Sequence, residues 1–467
     1  MKKFKKVYTS EFDLNGQVPL KRAVVLGMQH VLAMFVGNLT PILVVGGLCG
    51  LGDAGIMTTL IQNAMLISGV VTMVQLVTIG PVGAKLPVVM GTSASFIGVM
   101  SSIAAKCGGG VIGYGTILGA TFIGGLFESV IGFVIKPLRK LFPPLVTGIV
   151  VTTIGISLIS VGINSFGGGN NNADFGSPIN LGIAFFVLIV IIVLKHFTKG
   201  ITSSASILFG IIAGYILCTV LAIFVPTTYT DAQGIARTCS WVVDWNKVLE
   251  ASWFNIPQIM PVKMVFDLNA IVPMILMFVV TAVETIGDLS GITEGGLDRD
   301  ATDKELSGGV ICDGLGSSLA ALFGALPNTS FSQNVGLVGI TKVVNRFTIG
   351  TGAVFLILCG FMPKLATILQ IMPQSVLGGA AVMMFASIIV SGVKLMTKDG
   401  IDARSTTIIS VAIGVGYGLG STPSALSKLP EWLSTLIGES GVVTAGVIAI
   451  ILNILIPKSK KKENKES

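Results

Sequence analysis

The chain has 467 residues, of which 52% are hydrophobic and only 11% charged, and its formal net charge is +7. Soluble domains carry about 25% charged residues, so this composition excludes an ordinary soluble domain and points to a membrane protein. With two histidines and six scattered cysteines that form no CxxC, it also argues against an enzyme built on metal ligands or a nucleophile–base pair, and no cofactor is expected.

Reading along the chain, the N-terminus is basic and polar through Arg22, and the first apolar run is long enough to stay in the membrane rather than be cleaved as a signal peptide. Apolar runs of spanning length recur at 23–48, 55–79, 86–105, 111–135, 143–164, 179–195, 202–226, 268–289, 305–324, 325–342, 346–370, 373–396, 403–421 and 439–457. They predict an all-α polytopic membrane protein with fourteen transmembrane segments. With the N-terminus placed in the cytoplasm, 24 of the 30 Lys and Arg residues fall on the cytoplasmic side, including Lys2, Lys3, Lys5, Lys6, Lys136, Arg139, Lys140 and the tail from Lys458 to Lys465. That asymmetry fits the positive-inside rule and places both termini inside a plasma-membrane protein. The basic tail flanks a span, so no nucleic-acid partner is expected. The outer loop from Pro226 to Phe266 carries Trp241, Trp245 and Trp253, aromatics expected at the membrane interface, and Ser424 to Ile437 reads as an interfacial amphipathic helix. Cys49, Cys107 and Cys239 fall near the predicted outer face, where pairing stays open.

The two halves echo each other. Leu86-Pro87 followed by GTSAS recurs as Leu326-Pro327 followed by NTSFSQ, and the run from Pro143 to Gly148 recurs as Pro373 to Gly378. Seven spans separate the copies, and an odd number inverts the second against the first. Inverted repeats are the mark of secondary transporters, with the site near the midplane where the repeats meet. The runs 86–105 and 325–342 are interrupted by Pro, Gly, Ser and Thr, which is tolerated only where backbone lines a cavity or is buried in protein. A short extended stretch is expected in each, near Ser93–Phe96 and Phe331–Gln333, followed by a helix N-terminus that offers N–H groups to a polar ligand.

Few ionisable residues lie at bilayer depth: His30, Glu128, Glu284, Asp288 and Asp313. An acidic residue at a spanning-helix centre costs roughly 2.5–3.5 kcal/mol on insertion scales, and such residues mark substrate or proton paths. Glu284 and Asp288, four apart, share a helix face. Glu284 could instead be a structural carboxylate, His30 a bridge between helices, and Asp288 and Asp313 either proton carriers or supports; Glu128, with no polar neighbours in sequence, reads as structural. Gln333 offers a donor and an acceptor where Glu284 offers acceptors only, which suits a heterocycle presenting N–H beside C=O and suits an inorganic anion poorly.

On these residues the chain resembles the nucleobase–ascorbate transporter family, the xanthine/uracil permease type, from about residue 20 to 457. The family signature asks for Gln, Glu or Pro, then Asn, any residue, Gly, four residues, Thr, and Arg, Lys or Gly; Gln333-Asn334-Val335-Gly336-LVGI-Thr341-Lys342 meets every position. Gln29-His30 resembles the first-span motif, Glu284-Thr-Ile-Gly-Asp288 the eighth-span motif, and Asp313 the ninth-span acid. The resemblance implies two inverted repeats of seven, a core domain (23–135 and 268–370), a gate domain (143–226 and 373–457), a homodimer and an elevator-like movement. It implies that Glu284, Gln333, Ser93, Ala94, Phe96 and Ser332 contact the base. Gln29, His30, Asp288, Asp313, Asn334 and Thr341 would orient the site and couple it to a proton, in preference to sodium, with His30 and Asn334 bonded to each other and Asp288 and Asp313 supporting the site and the proton path. Gln333 favours xanthine or urate over uracil, and Ser93, where xanthine-selective members often have Asn, leaves urate open. Ala94 stands where many members have Phe, so a stacking ring would have to come from Phe96 or Phe331. The alternatives are a uracil or other nucleobase permease of the same family, or a sulfate- or bicarbonate-type anion carrier of the same architecture. Glu284 and the lack of a cytoplasmic C-terminal domain stand against the anion carrier.

Overall fold

The computed structural model describes residues 10–52, 56–135, 143–169, 172–230, 236–428 and 441–457. The basic clusters near both termini and at 136–140, and most of the amphipathic helix expected after Ser424, lie outside these residues. In chain order the helices are α1 (Leu20–Leu48), α2 (Met57–Val77), α3 (Ile97–Lys106), α4 (Gly110–Phe133), α5 (Pro144–Phe166), α6 (Pro178–Phe197), α7 (Ile201–Ser204), α8 (Ser206–Phe224) and α9 (Trp245–Glu250). There follow α10 (Leu268–Leu297), α11 (Asp303–Leu322), α12 (Ser332–Thr341), α13 (Arg346–Cys359), α14 (Pro363–Gln370), α15 (Gln374–Thr397), α16 (Ala403–Val411), α17 (Gly418–Ser421) and α18 (Gly441–Leu455). Four three-residue strands complete the list: β1 (Met90–Thr92), β2 (Thr228–Thr230), β3 (Ala236–Thr238) and β4 (Asn328–Ser330).

Among the described residues eight helices are long and apolar enough to cross a membrane, or nine if α13 and α14 count as one span. Length and composition alone therefore do not reach the fourteen expected. Runs 86–105 and 325–342 fall short because their first halves are extended, and 346–370 because its helix turns through 84° between α13 and α14. The bend follows from chemistry: Pro363 has no N–H to continue α13 and instead opens α14 at a position where proline is tolerated. Segment 403–421 holds a π-helical turn, Ala412–Tyr417, between α16 and α17.

The chain forms two compact units. One comprises residues 10–135 and 158–386; the other comprises 143–157 and 387–457 of the described residues. The smaller unit is centred on Val146, Ile149, Met396, Ile408, Ala412 and Ala449. In the larger unit α4 lies against α10 and α11, and α13 against α1 and α2. Glycine permits this closeness: a Cβ on Gly125 would stand 2.5 Å from the Gly314 carbonyl oxygen, and one on Gly27 would stand 2.4 Å from that of Thr348. Helices in a bilayer gain little from burying apolar surface against each other, so close van der Waals packing across small residues carries their association.

The described residues between 226 and 266 hold more regular structure than their sequence suggests. β2 and β3 form a hairpin, and Trp241, expected at the membrane interface, is fully buried instead. Trp253 is exposed with the Lys364 ammonium 4.6 Å from its ring centre. All six cysteines are free thiols, Cys49, Cys107 and Cys239 among them.

Valine at Gly125 meets backbone that cannot retreat. Gly125→Val is expected to cost about 1–3 kcal/mol, read as a lower Tm of the detergent-solubilised protein. Gly47→Ala, whose Cβ meets nothing within 4 Å, should not lower it.

Candidate functional site

The two interrupted segments meet each other. β1 and β4 pair antiparallel, with Met90 opposite Ser330, Gly91 opposite Thr329 and Thr92 opposite Asn328. The ladder extends at both ends: Ser93 N donates to the Pro327 carbonyl at 2.8 Å, and Phe331 N to the Val89 carbonyl at 3.0 Å. Side chains of neighbouring helices take further strand groups. Met90 N donates to Thr72 Oγ1 at 2.9 Å, Thr92 N to Asn38 Oδ1 at 2.7 Å, and Asn328 N to Ser317 Oγ at 2.9 Å. Buried backbone polar groups must be paired, and here the pairing lets two spans break at the same depth. Gly91 is required at the crossing: a Cβ there would meet Met34, Asn38 and the Phe331 ring, all within 2.7 Å.

Each strand runs straight into a helix. After β1 comes a 3-10 turn over Ala94–Phe96 that leads into α3, and after β4 comes α12. Neither helix start is capped by a side chain, so first-turn N–H groups and the partial positive charge of each N-terminus are left for other partners. Helix α10 passes both starts and presents one carboxyl to each. Ser95 Oγ donates to Glu284 Oε2 at 2.9 Å. One turn on, Ser330 Oγ donates to Asp288 Oδ2 at 2.7 Å and Ser332 Oγ to Asp288 Oδ1 at 2.8 Å. Asp288 is thus satisfied at both oxygens and buried. Glu284 is half-buried with Ser95 as its one donor among the described residues. Gln333, beside Ser332, is also half-buried, and among the described residues its amide makes no hydrogen bond. Around this centre, Asn334 Nδ2 donates to the His30 carbonyl at 2.8 Å and lies 3.3 Å from His30 Nδ1, while Thr285 donates to the fully buried Asp313.

The sequence profile of a permease family, Xan_ur_permease, matches residues 21–424. The chain belongs to that family, the nucleobase–ascorbate transporters. It is 34% identical to the uric acid transporter UacT of Escherichia coli, over 93% of this chain and 86% of that one. It is 36% identical to the xanthine permease of Bacillus subtilis, over 94% and 95% of the two chains. Among solved structures it resembles the transmembrane domain of the cyanobacterial bicarbonate transporter BicA, with a TM-score of 0.53 at 14% identity over 94% of this chain and 98% of that one. That likeness is one of fold alone.

Several family positions are placed differently from what the sequence suggests. The extended stretches lie at 90–92 and 328–330, three residues ahead of expectation. Pro87 and Pro327 disfavour helix in the residues before them, and helix resumes only after the paired strands. Phe96 is fully buried with its ring 4.6 Å from that of Phe278, and Phe331 is buried against Gly37 and Gly91, so neither offers a free face for stacking. The Ser93 hydroxyl is buried without a partner, whereas Ala94 is half-buried. Gln29 turns from its neighbour His30 and donates to Ser204 Oγ at 2.7 Å. Thr341 ends α12, its hydroxyl donating back to the Leu337 carbonyl at 2.8 Å; nine residues of helix, about 13 Å, separate it from Ser332. Glu128 does have polar company: it is fully buried, with Thr281 Oγ1 donating to Oε1 at 3.4 Å and Asp313 in electrostatic reach. Thr281, Thr285, Glu284 and Asp288 form one polar face of α10, a legible helical spacing. Ser95 and Ser330 carry no pointed signal of their own in the sequence, because serines are commonplace in membrane helix packing.

Removing a donor from the Asp288 carboxyl leaves a buried acceptor unsatisfied, at a cost of about 1–3 kcal/mol. Ser332→Ala should therefore lower the Tm without any substrate present. Combined with Asp288→Asn it should show a coupling of about 0.5–3 kcal/mol in a double-mutant cycle; additive effects would break the link between α12 and α10.

Proposed function

We propose that this permease imports an oxidised purine nucleobase, xanthine or urate, by proton symport. One observation carries the reading: among the described residues Glu284 has one oxygen uncommitted, one turn from Asp288, which binds the uncapped start of α12, the helix whose second residue, Gln333, carries an amide with no partner there. A purine edge bearing N–H beside C=O answers all three, its N–H donating to Glu284 and its carbonyl accepting from the amide or backbone N–H. The uric acid and xanthine permeases among its relatives support that class of base. Asp288, Asp313 and His30 complete a buried polar set of the kind that relays protons in driven carriers.

The fourteen-span reading is supported by helix within every one of the fourteen apolar runs. With it we propose the core domain (23–135 and 268–370) moving as an elevator against the gate domain (143–226 and 373–457), in a homodimer in the plasma membrane with both termini in the cytoplasm.

Glu284→Gln keeps the shape and removes the charge. A charge-assisted hydrogen bond contributes about 1.5–3 kcal/mol, so xanthine affinity should fall roughly ten- to a hundredfold in a mutant that still reaches the membrane. Near-normal uptake of labelled xanthine would remove Glu284 from the site. Competition by urate, uracil, guanine and hypoxanthine ranks the bases. Unchanged ranking in Gln333→Glu would take selectivity away from that residue.

The coupling ion has its own test. One proton crossing about 100 mV releases about 2.3 kcal/mol, and one pH unit adds about 1.4 kcal/mol. Together these support roughly 500-fold accumulation of a neutral base. Proteoliposomes with an inward pH gradient and no sodium should concentrate xanthine, and a protonophore should discharge it. Accumulation that follows sodium and ignores the protonophore would overturn proton coupling while leaving the purine assignment standing.

A further inference from the structure

A cavity of about 920 Å³ lies in the larger unit, and none of the residues bonded around Glu284 and Asp288 lines it. Three helices form it. Helix α1 contributes Leu20, Val24 and Met28, spaced by four on one face; α2 contributes Met73 and Val77; α13 contributes a stripe from Phe347 to Leu358. The walls are apolar, and Leu20, Val77, Phe347 and Leu358 are exposed, so the groove opens sideways. One end differs: Asn15, Lys85 and Arg346 lie there. From Arg346 to Leu358 the groove follows α13 for twelve residues, about 18 Å. One leaflet of bilayer hydrocarbon is about 15 Å deep.

The polar end is cationic and uncompensated. Among the described residues neither Lys85 nor Arg346 meets a carboxylate. Arg346 Nη1 donates to the Leu76 carbonyl at 2.8 Å and Nη2 to Asn15, both neutral, and its Nε is buried without a partner. On the N-terminal segment beside it Glu11 pairs with Arg22, while the exposed Asp13 carboxylate keeps its charge, accepting from Asn15 N at 3.4 Å, and makes no ion pair with either cation among the described residues. Lys85 is exposed and holds a φ of 60°, a conformation glycine adopts freely, yet a long cationic side chain stands there.

We infer that this groove binds an anionic diacyl phospholipid, its phosphate between Lys85 and Arg346 and one acyl chain lying along α13. Charge at one end, an apolar trough of leaflet depth and a lateral opening together fit that ligand. A free inorganic anion would leave the trough unused, and a zwitterionic lipid would leave the two charges without a net partner.

The test uses the full-length protein, delipidated in neutral detergent and titrated with phosphatidylglycerol, phosphatidylcholine or inorganic phosphate, with bound species counted by native mass spectrometry. Each surface cation near an anionic headgroup contributes about fivefold in affinity, so phosphatidylglycerol should be preferred over phosphatidylcholine by roughly 25-fold. Lys85→Gln should cut that preference about fivefold. Val354→Trp, at a partly exposed groove position, should weaken both lipids by blocking the trough. Equal binding of the two lipids, saturation by phosphate alone, or a preference untouched in whichever variant remains monodisperse would overturn the assignment.

Discussion

Everything at the centre of this permease depends on six residues of antiparallel strand. In an apolar interior an unpaired backbone group costs several kcal/mol, so a spanning segment that stops being helical needs partners for its N–H and C=O groups at that depth. β1 and β4 supply those partners to each other, and Thr72, Asn38 and Ser317 reach in from the surrounding helices. Neither broken span is stable alone, so the two halves of the chain are obliged to cross here.

Crossing has a geometric consequence. It brings two helix N-termini to one place, and α10 runs past both with carboxyls one turn apart. Asp288 is consumed in holding α12, and Glu284 is only half used. Among the described residues, that difference between two acids on one helix face leaves Glu284, of the two, with an oxygen open to a further partner. It arises from the number of serines each meets: two for Asp288, one for Glu284.

Small residues set the tolerances around this centre. Gly125 against Gly314, Gly27 against Thr348, and Gly91 under the Phe331 ring allow backbones to approach where any side chain would hold them apart. Phe331 in turn fills the space that Gly91 and Gly37 leave, and its burial there positions the crossing. The groove along α1, α2 and α13 has no such filling, and Leu20, Val77, Phe347 and Leu358 stay exposed along it.

Much of this was readable from the amino-acid sequence. Apolar run lengths, the acids at Glu284, Asp288 and Asp313, the inverted echo of Leu86-Pro87 in Leu326-Pro327, and the motif from Gln333 to Lys342 identify a membrane carrier and the neighbourhood of its site. These are local properties: hydropathy, proline chemistry and spacing on one helix. Long-range partners were not readable. Ser95 reaches Glu284 across 189 positions and Glu128 finds Thr281 across 153, and nothing in the local pattern names such pairs; the pairing of His30 with Asn334, 304 positions apart, was implied only by the family resemblance. Nor could periodicity tell that Phe96 packs on Phe278, that Gln29 turns to Ser204, or that Thr341 merely ends its helix. Sequence alone determined which residues must be buried in a membrane at a cost; only the tertiary packing decided which of them that burial pairs and which it leaves open, because pairing is a property of helices brought side by side.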